Sequence, residues 1–233
     1  TLFSRAEEFG ITVGEWKADY AQAIQRSRRV ADRMAKGVEF LFRKNKITLF
    51  LGRGTLKAKN VVEVAGKDGA QTLEAGRAVI LATGSEPRSL PGVTIDEKTV
   101  ISSNGAVRNE ARPASLVVIG AGAVGMEFAD VYAAYGTQVT VLEALPRVLP
   151  IEDEDASTQI ARLFGRRGIT IRTRANTKAI VGSVKVEAVQ LEDGTEIPAD
   201  IVVMAVGIRP NSLLAKAAGI TTNRGVVVND AMI

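Results

Sequence analysis

The 233-residue sequence contains neither cysteine nor histidine, and aromatic residues make up only 5% of it. Without cysteine the chain can form no disulfide, no Cys-x-x-Cys redox pair and no thiolate nucleophile. Without either residue it cannot build a zinc site from the usual nitrogen and sulfur ligands. We therefore predict no catalytic residue and no metal site in this chain.

Long hydrophobic runs are also absent. The longest apolar stretches, Val79–Ala82 and Ile201–Ile208, are far shorter than the roughly 20 residues that span a bilayer. No signal-peptide pattern is present, which favours the cytoplasm or an equivalent organelle matrix. With 46% apolar and 24% charged residues, the composition is typical of a folded globular protein that does not enter a membrane.

The net charge of +4 is unevenly distributed. Residues 1–60 hold 13 of the 30 Lys and Arg residues but only 6 of the 26 Asp and Glu residues. A run of charge along a helix is usually its solvated face. Because aromatic residues are not interleaved with these basic side chains, we do not predict nucleic acid binding.

The N-terminal third of the chain contains two different periodicities. Apolar residues recur every three to four positions from Trp16 to Lys44, which predicts a long amphipathic helix. A shorter helix is predicted over Arg5–Phe9. Short β-rich runs between glycine-bearing turns then predict strands at Ile47–Leu51, Val61–Ala65 and Ala78–Ala82, the last of them buried.

A linker at Pro87–Gly92 predicts a domain boundary near residues 90–100, and Ser102 or Ser103 is expected to cap a short helix. Strands and helices then alternate as β-α-β-α-β, over Leu116–Ile119, Val124–Tyr135, Gln138–Leu142, Asp155–Arg167 and Thr170–Arg174. This alternation predicts an α/β fold with a doubly wound parallel sheet. The remaining elements are a hairpin of Ser183–Leu191 and Glu196–Ile197 around Asp193-Gly194, and a buried strand at Ile201–Val206.

A G-x-G-x-x-G motif, Gly120 to Gly125, directly follows the first of these strands and opens the next helix. In this context Gly120 permits a tight turn, Gly122 lets the backbone approach a pyrophosphate, and Gly125 lets helix and strand pack closely. The motif therefore predicts a dinucleotide site. The alternative is a glycine-rich turn that binds no ligand.

Glu143 ends the second strand of the unit, eighteen residues after Gly125. An acidic side chain at this place can accept hydrogen bonds from the adenosine ribose hydroxyls, which favours NAD over NADP. Glu143 could instead be an ordinary charged strand end, and Arg147 nearby could accommodate a 2′-phosphate.

Several segments together resemble the pyridine nucleotide–disulfide oxidoreductases, and they occur in that family's order: Val79–Pro87, Leu90–Gly92, Gly120–Gly125 and Ala205–Asn211. Within the family, Lys36–Lys46 running into Gly52–Gly54 is similar to the dihydrolipoamide dehydrogenases, as is Leu145–Pro150 after Glu143. One departure is that Ile208 directly follows Gly207, where those enzymes commonly have arginine. NADH oxidases of the same superfamily are more similar there.

The resemblance implies a Rossmann-like doubly wound parallel sheet, flanked by partial FAD-domain segments with a long amphipathic helix. It implies a partial FAD-domain segment at 1–95, an NAD-binding domain at 96–214 and a return segment toward the FAD domain at 215–233. It also implies that the chain is a central fragment, without the family's N-terminal FAD fingerprint and cysteine pair and without its C-terminal dimerisation domain.

The resemblance assigns NAD-binding roles to ten residues. The pyrophosphate would lie on the backbone of Gly120, Ala121, Gly122, Ala123, Val124 and Gly125. Glu143 would bind the ribose, Glu127 the nicotinamide carboxamide, Gly207 the nicotinamide end and Thr177 the adenine side. Glu127 could instead be an acid of the first helical turn, favoured there by the helix dipole. Positions that contact FAD in the intact parent are Gly54, Thr83, Gly84 and Ser85.

The function implied is that of the NAD(H)-binding portion of a flavin-dependent dihydrolipoamide dehydrogenase, which seats the nicotinamide for hydride exchange with FAD. FAD binding and turnover are not expected of this chain alone. Expected partners are NAD(H), the rest of the parent enzyme, a second copy in a homodimer and a 2-oxoacid dehydrogenase complex. The alternatives are part of a related flavoprotein NADH oxidase or reductase, and a non-catalytic nucleotide-binding module.

Overall fold

The computed structural model describes residues 3–233. The chain divides into two compact units. The first comprises the residues up to Val30 together with Pro87–Gly207, and the second comprises Ala31–Glu86 and Ile208–Ile233.

The chain opens with a 3₁₀ helix, Phe3–Phe9, followed by helix α1, Tyr20–Lys44. The predicted start of α1 at Trp16 is wrong, because the Asp19 carboxylate accepts a hydrogen bond from the Gln22 N–H at 2.9 Å and caps the helix there. The predicted end at Lys44 is confirmed. No helix within residues 3–233 is both long and apolar enough to cross a bilayer.

The second unit contains an antiparallel meander of three strands, β1 (Arg53–Ala58), β2 (Val61–Gly66) and β3 (Gly69–Glu74). A short strand, β4 (Ser85–Pro87), follows. The prediction for β2 is confirmed, but the predicted strands at Ile47–Leu51 and Ala78–Ala82 are wrong. Both segments are unpaired in the part of the chain that the structure describes, and Ile80 is 87% exposed.

The first unit contains the predicted alternation, with boundaries within two residues of those expected. Its elements as far as β8 are β5 (Val100–Ile101), α2 (Ser103–Ala106), β6 (Ser115–Ile119), α3 (Ala123–Ala134), β7 (Gln138–Glu143), α4 (Glu154–Arg166) and β8 (Thr170–Thr173). Strand β5 was not predicted from the sequence. Ser102 caps α2, since its hydroxyl accepts a hydrogen bond from the Asn104 N–H at 3.0 Å.

The remaining elements are β9 (Thr177–Val181), β10 (Ala188–Leu191), β11 (Glu196–Pro198), β12 (Ile201–Met204), β13 (Ile208–Pro210) and α5 (Leu213–Ala217). The turn at Asp193-Gly194 is confirmed, whereas the strand predicted from Ser183 begins only at Ala188. An additional strand, β9, pairs with it on the other side. Strand β13 pairs with β4.

The core of the first unit is a five-stranded, entirely parallel sheet in the order β5-β12-β6-β7-β8. Leu116 and Val118 of β6 pack on the side that carries α3 and α4, whereas Val117 and Ile119 pack against the antiparallel sheet β9–β11. The Rossmann-like α/β fold is confirmed. One face of the parallel sheet is covered by β9–β11 instead of helices.

At the amino end of this sheet, Asp200 joins two strands. Its carboxylate accepts hydrogen bonds from the Ser115 N–H at 2.9 Å and the Ser115 hydroxyl at 3.1 Å. The hydrogen bond from the Ser115 backbone is the main reason that the pKa of Asp200 lies below its usual range.

The strand order reverses at β6, because the chain continues to β7 on one side of it and returns as β12 on the other. In open parallel sheets, ligands bind at the carboxyl ends of the strands where the order reverses. The segments at this point are Gly120–Gly122 after β6 and Ala205–Gly207 after β12. The fold therefore places the glycine-rich motif where a binding crevice is expected.

Candidate functional site

Gly120 and Gly125 allow α3 to pack closely on the sheet. Gly120 has φ +101°, and a Cβ there would meet the Ala205 carbonyl oxygen. A Cβ on Gly125 would meet the Gly120 carbonyl oxygen and would lie 3.2 Å from the Ala205 Cβ. Both positions therefore require glycine for the fold itself. Ala205, which sequence analysis did not single out, is the small residue that completes this contact.

Gly122 differs from the other two glycines. It is the N-cap of α3, with an ordinary φ of −72°, and a Cβ there would have no atom within 4 Å. The next two residues, Ala123 and Val124, are exposed. The first N–H groups of a helix have no partner within the helix and carry the positive end of its dipole. Space therefore remains in front of these donors for an anionic group.

Glu143 lies beside this turn and is 8% exposed. Its Oε2 accepts a hydrogen bond from the Ala121 N–H at 2.7 Å, and its Oε1 accepts one from the Leu145 N–H at 2.9 Å. A carboxylate oxygen has two lone pairs, so each can accept one more hydrogen bond. Glu143 therefore fixes the turn and retains capacity for hydroxyl donors.

The loop between β7 and α4, residues 144–153, forms a second boundary of the turn. Leu149 adopts φ +46° and donates its N–H to the Ala121 carbonyl oxygen at 2.8 Å. Arg147 donates from Nη2 to the Pro150 oxygen at 3.1 Å and to the Glu152 oxygen at 3.0 Å. Sequence analysis treated Arg147 only as a possible phosphate ligand. Its carbonyl partners have no signal in the sequence.

Three other predicted positions lie at different places on the first unit. Glu127 is exposed on α3 but is the fifth residue of the helix, so its interpretation as an acid of the first turn is wrong. Gly207 follows β12 with φ +96°, and a Cβ there would meet no atom within 4 Å. Thr177 begins β9, and its buried hydroxyl has no hydrogen-bond partner within the described residues.

The positions expected to contact FAD belong to different elements of the second unit. Thr83 and Gly84 are bound to Asn211, which receives a hydrogen bond from the Thr83 hydroxyl at 2.7 Å and donates its N–H to the Gly84 oxygen at 2.9 Å. Ser85 is the first residue of β4. Gly54 lies in a different sheet, on β1.

A cleft of about 550 Å³ opens at the carboxyl end of β8, near Glu143. Its polar lining includes Arg172, Arg174, Asn176, Glu192 and Asp193. The cleft is connected to Glu143 directly, because Ala175, which also lines it, donates its N–H to the Glu143 main-chain oxygen at 2.9 Å. Across residues 3–233 no three acidic side chains are grouped as a metal site would require.

Curated proteins similar to this chain are dihydrolipoyl dehydrogenases. The chain is 37% identical to that of Chlorobaculum parvum over 238 residues, an alignment that covers 99% of this chain and 50% of the relative. It is 38% identical to that of Mycobacterium tuberculosis over 234 residues, covering 97% and 50%. The chain thus spans about half the length of the curated relatives it matches.

Two solved structures have the same fold. LpdA from Mycobacterium tuberculosis superposes with a TM-score of 0.84 at 27% identity, covering 95% of this chain and 49% of that one. The HOCl-induced flavoprotein disulfide reductase RclA from Escherichia coli gives 0.79 at 26% identity, covering 98% and 51%.

A family model supports the same relationship over nearly the whole sequence. The model described as pyridine nucleotide-disulphide oxidoreductase matches residues 6–233. The matched residues include the turn at Gly120–Gly125 and the segments that precede and follow the parallel sheet in the sequence. The chain therefore belongs to the pyridine nucleotide-disulphide oxidoreductase family.

Proposed function

We propose that this chain is the NAD(H)-binding portion of a flavin-dependent dihydrolipoyl dehydrogenase and seats the nicotinamide for hydride exchange with the flavin. The carrying observation is the open N-terminus of α3 beside Glu143, at the point where the strand order reverses. The identity to dihydrolipoyl dehydrogenases along almost the entire chain supports the assignment.

Each part of the dinucleotide can be assigned a binding position in this arrangement. The pyrophosphate would lie on the N–H groups that follow Gly122, and the adenosine ribose hydroxyls would donate to Glu143. Thr177, at the start of β9, would border the adenine side. Glu127 and Gly207 would border the nicotinamide end. When bound, NAD supplies the hydride acceptor, while the protein provides its orientation.

The flavin would be bound mainly by other parts of the parent enzyme. Gly54 and the segment Thr83–Ser85 would contribute contacts there, and we propose the division at residues 1–95, 96–214 and 215–233 on the same basis. Thiol–disulfide exchange requires a thiolate, and this chain has no cysteine. The chain alone is therefore expected to be inactive. A homodimeric parent in the cytoplasm or an organelle matrix, associated with a 2-oxoacid dehydrogenase complex, is part of the proposal.

Calorimetric titration with NADH and NADPH tests the nucleotide assignment. We expect NADH to bind more tightly, because Glu143 would repel the 2′-phosphate. Glu143→Gln should weaken NADH binding about ten- to a hundredfold, since hydrogen bonds to a charged group contribute roughly 1.5–3 kcal/mol. The matched control is Glu187→Gln, on an exposed residue of the β9–β10 hairpin. Equal affinities for both nucleotides, unchanged by Glu143→Gln, would refute the assignment.

A second candidate is part of a flavoprotein NADH oxidase or reductase. The presence of Ile208 directly after Gly207 favours it, as does the fold similarity to a disulfide reductase. The full-length protein distinguishes the two functions: lipoamide-dependent NADH oxidation supports the dehydrogenase, whereas oxygen-dependent oxidation without lipoamide supports the oxidase. NADH binding with neither activity in the full-length protein would indicate a nucleotide-binding module.

A further inference from the structure

The β7–α4 loop is held by hydrogen bonds within the loop and by hydrogen bonds to neighbouring elements. Arg147, which is half-buried, donates from one guanidinium nitrogen to both the Pro150 and Glu152 carbonyl oxygens, at 3.1 and 3.0 Å. Its other terminal nitrogen lies 4.0 Å from the Glu154 carboxylate at the start of α4. The planar guanidinium of Arg147 thus connects the first half of the loop to its second half and to the start of α4.

A further hydrogen bond attaches the loop to α4. Val148, next to Arg147, is 1% exposed, and its carbonyl oxygen accepts a hydrogen bond from the hydroxyl of the buried Ser157 at 2.6 Å. Leu149 then adopts the left-handed backbone conformation, which is unfavourable for a leucine and persists only when its surroundings enforce it. The hydrogen bonds of Ser157 and Arg147 hold the carbonyl groups of Val148 and Pro150, the residues on either side of Leu149.

The strained conformation of Leu149 has a specific consequence for the glycine-rich turn. It directs the Leu149 N–H to the Ala121 carbonyl oxygen at 2.8 Å, while the Ala121 N–H is held by Glu143 at 2.7 Å. Both polar groups of the Ala121 backbone are therefore fixed from the β7–α4 side. The peptide groups that follow Ala121 are those that begin α3.

We propose that Arg147 is a positioning residue of the nucleotide site, which closes the β7–α4 loop on the glycine-rich turn and so orients the first N–H groups of α3 toward the pyrophosphate. This inference rests on the proposed NAD(H) function. It assigns Arg147 a role that does not involve contact with the nucleotide. The guanidinium N–H groups that bond to the loop carbonyl oxygens are not available to bind a 2′-phosphate.

Amide hydrogen exchange tests the positioning role without any nucleotide. The variant is Arg147→Met, which retains the aliphatic stem and removes the donors, and the matched control is Arg162→Met, on an exposed residue of α4. We expect exchange at Leu145 and Leu149 to accelerate about tenfold or more in Arg147→Met, with the β6 and β7 amides unchanged. Unchanged exchange at Leu149, or an equal rise throughout the first unit, overturns the proposal.

Nucleotide titration tests the consequence for binding, at a temperature where melting curves show every variant folded. Arg147→Met should weaken NADH and NADPH by the same factor, roughly five- to twentyfold, and Arg162→Met should change neither. A loss confined to NADPH would make Arg147 a phosphate ligand and overturn the proposal, as would unchanged NADH affinity. If the wild-type chain binds neither nucleotide, the proposed function fails, while the exchange at Leu149 still decides whether Arg147 positions the turn.

Discussion

Substituting the glycines of the turn one at a time should separate their role in folding from their role in binding. Gly125→Ala would place a methyl group against the Gly120 carbonyl oxygen and 3.2 Å from the Ala205 Cβ. Overpacking of this kind costs about 1–3 kcal/mol, and a backbone contact belongs at the upper end. The better helix propensity of alanine offsets about 1 kcal/mol. We expect a net loss of roughly 1–2 kcal/mol in the free energy of unfolding.

Gly122→Ala should have the opposite pattern. The new methyl group meets no atom within 4 Å, and the φ of −72° is accessible to alanine. The loss of glycine at the N-cap and the reduced entropy of the unfolded chain are each below about 1 kcal/mol and opposite in sign. Stability should therefore change by less than about 0.5 kcal/mol. In the complex, however, the methyl group would occupy the space in front of the helix N–H groups.

Both variants are compared with the wild type by urea denaturation and by calorimetric titration with NADH. If the methyl group displaces the pyrophosphate enough to break one charge-assisted hydrogen bond, NADH should bind about ten- to a hundredfold more weakly to Gly122→Ala. Normal NADH affinity in a fully folded Gly122→Ala chain would show that the turn serves only the fold. A large loss of stability in the same variant would refute the reasoning from open space.

Three further outcomes follow from features of the first unit and from composition. Because the Ser115 hydrogen bonds hold the pKa of Asp200 low, Asp200 stabilises the fold at pH values above about 4 and this contribution is lost as the pH falls further; Asp200→Asn should flatten the acid limb of a melting-temperature profile, and an unchanged limb would contradict this. Tyr132 is completely buried beside Tyr20, and its hydroxyl makes no hydrogen bond of ordinary geometry among residues 3–233, so Tyr132→Phe should leave the free energy of unfolding unchanged or raise it by up to about 1 kcal/mol in urea denaturation, whereas a clear loss would show that the Tyr132 hydroxyl bonds to that of Tyr20. The purified 233-residue chain should bind no stoichiometric FAD and show no lipoamide-dependent NADH oxidation above background, because it has no thiol and one glycine-rich turn; a yellow preparation with one flavin per chain would contradict this.

Four of the five strands of the parallel sheet were predictable because their signals are local, whereas the two-residue strand β5 was not predicted. The apolar run before Gly120 and the glycine spacing fix β6 and the start of α3 without reference to other parts of the chain. The failures have a different origin. Ala78–Ala82 has the composition of a buried strand, yet a strand requires a neighbour, and none pairs with this segment among the described residues. Strand β3 was missed because half of the residues of Gly69–Glu74 are polar and five of the six are exposed.

The candidate site divides in the same way. The position of Glu143 follows from its distance along the sequence and from the end of β7, so it could be predicted. Its bonds to the Ala121 and Leu145 N–H groups depend on how the β7–α4 loop folds back, which no spacing rule describes. Arg147 illustrates the limit most clearly. Its charge suggested a phosphate contact. Its orientation is determined by main-chain carbonyl groups, which every residue has and which no sequence pattern singles out.

The unpaired segment Ala78–Ala82 also determines how this chain should be handled at the bench. An apolar stretch that pairs with no strand among the described residues, and in which Ile80 is 87% exposed, is a template for pairing between molecules. A net charge of +4 gives only modest electrostatic repulsion against such association. Sulfate or phosphate buffers would strengthen the attraction between apolar surfaces. Colloidal precipitation should therefore limit the usable concentration of this chain well below the temperature at which its parallel sheet melts.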